Sequence, residues 1–265
     1  MAAGRGGILP GVTVAHPYLE PVVTGRPLAF AHRGGAADGD ENTLDAFARA
    51  VARGYRHLET DVHATSDGVA VVFHDETTDR MLGRPGRIAD LRWSDLAAVR
   101  VGGAAVVPRL DELLEAWPQA YLNIDVKSGG AIGPAVAAVT RAGAEQRVLL
   151  ASFSDARLAA VRAAGGGRLA TSLGQRSATA LWLASRVGAG ARRAVGPAVA
   201  AQMPARAVDT RFIRYAHRLG LVVHVWTVDD PREIGGFLDA GVDGIMTDHL
   251  DVLTAVYTER GLWPA

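Results

Sequence analysis

LAFAHRGGAADGDENTLDAFARAVARGYRHLETDVHATSDGVAVVFHD, residues Leu28 to Asp75, sets the reading of the whole chain. Three apolar runs in it each end in ionisable side chains: LAFA in His32 and Arg33, HLETD in Glu59 and Asp61, and VAVVF in His74. A buried strand that ends in charge opens onto a site rather than onto a core. Between the first two runs, Leu44, Phe47, Ala48 and Val51 recur at helical spacing behind a capping Thr43, and Gly54 stops the pattern. Glu41 and Asn42, in the loop before that helix, either orient Arg33 or His32 or simply form a turn.

Strand alternation puts Glu59 and Asp61 on one face. Two carboxylates side by side repel each other, and a divalent cation with a preference for oxygen ligands, Mg²⁺ or Ca²⁺, removes that cost. A solvated acidic pair at a strand end is the competing reading of these two residues alone. Asp67-Gly68 lies between strand-like runs, a strong hairpin signal. A two-residue turn there sets Ser66 opposite Val69 and therefore Asp61 opposite His74. With His32 closing the first strand, two histidines converge on the carboxylates, a pairing suited to proton exchange near neutral pH. Arg33 offers a planar fork of donors for phosphate oxygens. In YLNIDVKS, Asp125 closes a later strand and Lys127 follows on the same face. Three carboxylates, a guanidinium and an ammonium make a site for a phosphate-bearing ligand and a divalent metal.

These segments resemble the glycerophosphodiester phosphodiesterase family. The likeness runs through AHRGG and ENT, LETDVHATSDGVAVVFHDETTDR, PRLDELLEAWP with LNIDVKS, and VVHVWTVDDP with GVDGIMTDHLD, in the family's order from about residue 28 to 252. It implies His32 and His74 as the catalytic pair, Glu59, Asp61 and Asp125 as ligands of Mg²⁺ or Ca²⁺, and Arg33 and Lys127 as phosphate holders. Two departures stand out: Asp40 replaces the proline common before Glu-Asn-Thr, and Asp125 replaces a common glutamate. The implied reaction is hydrolysis of a small-molecule glycerophosphodiester to glycerol 3-phosphate and an alcohol. A lysophospholipase D-like or phospholipase-like enzyme on the same scaffold is the nearest alternative, and a non-catalytic metal-binding phosphodiester carrier or sensor the second.

Beyond Asp125, strands at Val148–Ala151, Leu169–Ser172, Val199–Gln202, Val222–Thr227 and Gly244–Thr247 alternate with helical segments, the pattern of a parallel sheet. With Leu28–Ala31, His57–Asp61 and Tyr121–Val126 the strands number eight, and a (β/α)₈ TIM barrel is the economical closure. Residues 28–260 are then one catalytic domain, with a small insertion after the second strand at about 75–108, where Trp93 and Met81 are better packed than exposed to substrate. In such a barrel catalytic groups gather at the carboxyl ends of strands. Gln202 and Trp226 stand at two such ends and complete the candidate substrate-binding set.

Residues 1–27 read as an irregular lead-in without the apolar core of a secretory signal, which points to the cytoplasm. No run is long and apolar enough for a transmembrane helix. Lys+Arg and Asp+Glu balance at 28 each, so net charge favours neither nucleic acid nor an acidic membrane, and the absence of cysteine excludes disulfides and thiol catalysis. Oligomeric state is not encoded in any feature of the chain.

Overall fold

The computed structural model describes residues 16–19, 22, 25–101, 105–188 and 190–263. Residues 1–15 of the expected lead-in lie outside the described residues. Eleven strands occur among the described residues: β1 (Leu28–His32), β2 (His57–Ala64), β3 (Ala70–Val72), β4 (Arg100–Val101), β5 (Ala105–Val106), β6 (Tyr121–Val126), β7 (Val148–Ala151), β8 (Ala170–Thr171), β9 (Ala200–Pro204), β10 (Val222–Trp226) and β11 (Gly244–Thr247). Eight of them pair in parallel in the order β8-β7-β6-β2-β1-β11-β10-β9. A parallel bridge between Ser172 and Ala200, with Leu173 N donating to Ala200 O at 2.9 Å, joins the two ends and closes the eight-stranded TIM barrel.

The connecting helices form where the sequence supplies their ends. Thr43, Ser154, Asp209 and Asp230 each accept a backbone N–H in the first turn of the helix they precede, and Pro231 follows the last of them at N1. Each such cap is worth about 1 kcal/mol. Leu110–Ala116 and Pro231–Ala240 are helices with the bounds the sequence suggests. Tyr18 and Leu19, in a short turn of 3₁₀ helix, are buried with Leu28, Phe30, Val222 and Met246 in the barrel interior. Among the described residues no helix is long and apolar enough to cross a membrane.

The hairpin register departs from expectation. β2 and β3 pair as Val62 with Val72, His63 with Val71 and Ala64 with Ala70. Thr65 therefore faces Val69 across a three-residue loop, and Phe73 N bonds Asp61 O at 3.0 Å, so Asp61 is not opposite His74. Thr65 explains the extra residue. Its hydroxyl accepts from Val69 N at 3.0 Å and donates to Asp67 at 2.6 Å, while Gly68 takes a φ of +79°. A three-residue loop closed by a left-handed glycine is the next commonest hairpin after the two-residue one. From Phe73 to Arg109 the chain makes short helical turns and the β4–β5 ribbon around Val71, Phe73, Ile88, Leu96, Val101 and Val107, with Met81 and Trp93 packed against them.

Candidate active site

A cavity of about 500 Å³ opens at the carboxyl end of the barrel strands. One half is polar, lined by His32, Arg33, Glu59, Asp61, His74, Asp125 and Lys127; the other is apolar, lined by Phe153, Leu173, Trp182, Met203, Trp226 and Met246. Gln202 also reaches it, so all nine candidate residues border one space. His74 does so despite the changed register, because it lies beyond the last paired residue of β3.

The turn after β1 is shaped by glycine. Arg33 and Asn42 have positive φ values, 52° and 61°, and Gly34 follows at +84°. A Cβ on Gly34 would lie 2.9 Å from Ala46 Cβ and 3.0 Å from helix backbone, so only glycine lets helix Leu44–Ala52 approach. That turn aims Arg33 N at Glu59 (3.1 Å), Arg33 Nη1 at Glu41 (3.0 Å) and Arg33 Nε toward Asp61 (3.3 Å). Asn42 Nδ2 donates to Asp61 at 3.0 Å and Asn42 Oδ1 accepts from Thr60 at 2.8 Å. Both loop residues thus orient the site: Glu41 fixes Arg33, and Asn42 fixes Asp61.

β2 and β6 bring the acids together, since Asp61 pairs in register with Asp125 and Glu59 with Asn123. Lys127 Nζ lies 2.7 Å from Asp61 and 2.8 Å from Asp125. Burial would raise the Asp61 carboxyl, but Lys127 and Arg33 hold it below its ordinary value. Glu59 goes the other way: burial first, then the Asp61 charge, pushes it up to about 7. Asp125 Oδ1 is buried with no hydrogen-bond partner. The raised pKa of Glu59, its like-charge neighbour Asp61 and the orphaned oxygen of Asp125 together fit a hard divalent cation at these three carboxylates. Among the described residues no three His, Asp or Glu side chains already stand at joint ligand spacing, because Lys127 sits between two of the carboxylates.

Each histidine leans on a carboxylate. His32 Nδ1 is 2.6 Å from Asp248 Oδ1, and its Nε2 is 3.7 Å from Glu59. Burial disfavours its charge, yet Glu59 and Asp248 outweigh that and raise it. His74 Nδ1 is 2.6 Å from Asp75, which Arg80 Nε grips at 2.6 Å. Arg80 also forks onto Glu41 at 2.7 and 2.9 Å. His63 Nε2 lies 3.2 Å from the His74 carbonyl oxygen and steadies that backbone. Across the cavity, Gln202 Nε2 donates to Asn123 at 3.0 Å, and Trp226 meets Phe153 edge-on at 5.8 Å between centroids. Asp75, Arg80, Phe153 and Asp248 escaped sequence reasoning. The available signals were the Asp beside His74 and the Asp immediately after the last strand.

A model of the glycerophosphoryl diester phosphodiesterase family matches residues 32–252. The chain belongs to that family. It is 37% identical over 256 residues to the probable glycerophosphodiester phosphodiesterase 2 of Mycobacterium tuberculosis, covering 93% of this chain and 97% of that one. The glycerophosphodiester phosphodiesterase of Caldanaerobacter subterraneus is 28% identical, over 89% of this chain and all of its own. Among solved structures, a putative glycerophosphoryl diester phosphodiesterase from Silicibacter pomeroyi superposes with a TM-score of 0.79 at 26% identity, covering 94% of this chain and 100% of that one. The polar cluster of this family member, from His32 to Asp248, lies within the matched span.

Proposed function

We propose that this protein hydrolyses glycerophosphodiesters to glycerol 3-phosphate and an alcohol, with the phosphate bound in the polar half of the cavity. The observation that carries the proposal is that His32 and His74, each backed by a carboxylate, border the same space as Glu59, Asp61, Asp125, Arg33 and Lys127. A divalent cation, Mg²⁺ or Ca²⁺, held by those three carboxylates supplies Lewis-acid stabilisation of charge on the phosphoryl oxygens. Arg33 and Lys127 hold and neutralise the phosphate from the protein side. One of His32 and His74 removes the proton from the attacking hydroxyl, and the other gives a proton to the departing alkoxide. The same proposal takes residues 28–260 as one catalytic unit working in the cytoplasm.

The apolar half of the cavity favours a second reading, in which the diester carries an acyl chain, as a lysophospholipid does. Trp226, Phe153, Trp182 and Met203 give such a chain a wall. Metal-stripped protein, re-tested with Mg²⁺ and Ca²⁺ on soluble glycerophosphodiesters and on lysophospholipid micelles, separates the two. Hydrolysis that persists in both His32→Ala and His74→Ala proteins would remove the catalytic roles. Binding without turnover across the whole panel would instead make the barrel a carrier.

A further inference from the structure

We propose that the rim of the cavity formed by helix Gln175–Val187 and the loops after β7 and β9 is a docking surface for an anionic lipid membrane. The helix is anchored at both ends to the mouth. Gln175 N donates to Phe153 O at 2.8 Å, and Asp155 accepts from Arg176 N at 2.9 Å, both just past the end of β7. Toward its other end Trp182 Nε1 donates to Ala207 O at 2.9 Å, and Arg186 pairs with Asp209, both just past β9. Between these anchors Thr179 and Trp182 line the cavity, while Leu181 and Ala184 are buried against the body of the protein.

The outward face is not that of an ordinary solvated helix. Leu183 is 55% exposed and Val187, one turn on, is 77% exposed, with Phe153 at 55% beside the same mouth. Around them positive charge predominates: Arg176, Arg186, Arg206 and Arg211 outnumber the rim carboxylates Asp155 and Asp209. Residues 175–218 hold eight arginines and a single acidic residue, Asp209, although the whole chain is neutral. The balance of 28 basic and 28 acidic residues therefore conceals a basic flank compensated elsewhere. Arg176, Arg206 and Arg211 are exposed there and have no ion-pair partner among the described residues, Arg211 donating instead to the Arg186 carbonyl oxygen. Arg186 lies over the Trp182 ring at 4.6 Å, an aromatic and cation pairing suited to the headgroup boundary.

Exposed aliphatic side chains set among arginines match a surface that is apolar beneath and negative above. A polyanion without an apolar phase would leave Leu183, Val187 and Phe153 in water. The apolar half of the cavity opens under this rim, so a docked protein would face lipid-borne ligand directly. Docking is independent of the hydrolytic reading, and although Phe153 and Trp182 border both rim and cavity, the residues varied below do not line the cavity.

The test is co-sedimentation of the full chain with vesicles of phosphatidylcholine alone and of an equal mixture with phosphatidylglycerol. Binding to the mixture should be at least about tenfold tighter and should fall with added salt. The paired variants Leu183→Asp with Val187→Asp, and Arg176→Glu with Arg211→Glu, should each bind the mixture at least about tenfold more weakly. Both should hydrolyse a soluble glycerophosphodiester as the unaltered protein does. Equal binding to the two vesicle types, or variants that bind like the parent, would overturn the proposal. So would a solution dimer abolished by the Leu183→Asp and Val187→Asp changes, which would assign the face to a second copy, or binding only to an acidic protein. Because vesicle binding and turnover are read separately, loss of hydrolysis alone bears on the proposed function and loss of binding alone on this surface.

Discussion

At the scale of single residues, the site is governed by which carboxylate backs which cation. Asp248 is itself held in place: Asp229 accepts from Asp248 N at 2.9 Å and from Thr247 Oγ1 at 2.8 Å. This fixes the carboxylate 2.6 Å from His32 Nδ1 and so leaves His32 Nε2 for substrate. Asp248→Asn keeps the shape and removes the charge, and a hydrogen bond to a charged group is worth about 1.5–3 kcal/mol, roughly 10–100-fold in rate. The expected result is a fall in kcat of about that size with an unchanged melting temperature, read by initial rates and calorimetry. An unaltered kcat would leave Asp248 as scaffold only. Asp125 carries a second prediction. If its orphaned Oδ1 completes a cation site, Mg²⁺ or Ca²⁺ added to stripped protein stabilises the fold by about 2.7 kcal/mol at a hundred times the dissociation constant. Thermal unfolding followed against cation concentration should show the rise, and Asp125→Asn should flatten it.

Elements tell how far the sequence could be read. Strand and helix assignments succeed where periodicity and caps agree, as at Thr43, Leu110–Ala116 and Pro231–Ala240. Register was harder. Asp67-Gly68 correctly marks a hairpin, but loop length is decided by the Thr65 hydroxyl, a side-chain hydrogen bond that no periodicity reveals. His74 reaches the cavity even so, because it lies beyond Phe73, whose N–H makes the last bond from this segment to the backbone of β2. Asp248 and Arg80 are hard to read for a related reason: their partners lie 216 and 39 residues away, and only the closed barrel and the segment after β3 bring them in, whereas Asp75 adjoins His74 in the sequence. The Gly34 turn makes the element-scale prediction. Gly34→Ala demands a Cβ 2.9 Å from Ala46 and a φ of +84°, so helix Leu44–Ala52 must shift. A loss of about 2 kcal/mol or more in urea unfolding is expected, with weakened substrate binding because Arg33 is displaced. Undiminished stability would show that the helix can yield without cost.

Across the whole molecule, the barrel interior sorts its ionisable groups by depth. Carboxylates and cations sit together at the mouth, whereas His224 and His57 lie below them on either side of Phe30, at 4.9 and 5.3 Å between ring centroids. Burial pushes His224 down to about 3, and the same cause, with the nearby His224 charge, depresses His57. Gly244 makes the space, since a Cβ there would lie 2.8 Å from both the His224 ring and Phe30. Gln202, 3.3 Å from His224 Nδ1, offers an amide nitrogen that cannot stabilise an added proton, and His224 Nε2 has no partner. The unfolded chain therefore takes up the proton first as pH falls. Stability linked to His224 is complete above pH 6.5 and is lost progressively between 6.5 and about 3. At pH 5 the loss is on the order of 2 kcal/mol, from 1.36 kcal/mol per pH unit. Urea unfolding at pH 7.5, 6 and 5 should show this slope in the parent and a shallower one in His224→Asn, whatever that variant's absolute stability. Parallel slopes would mean that the buried imidazole gains its proton inside the folded barrel, and that the interior is wetter than its packing implies.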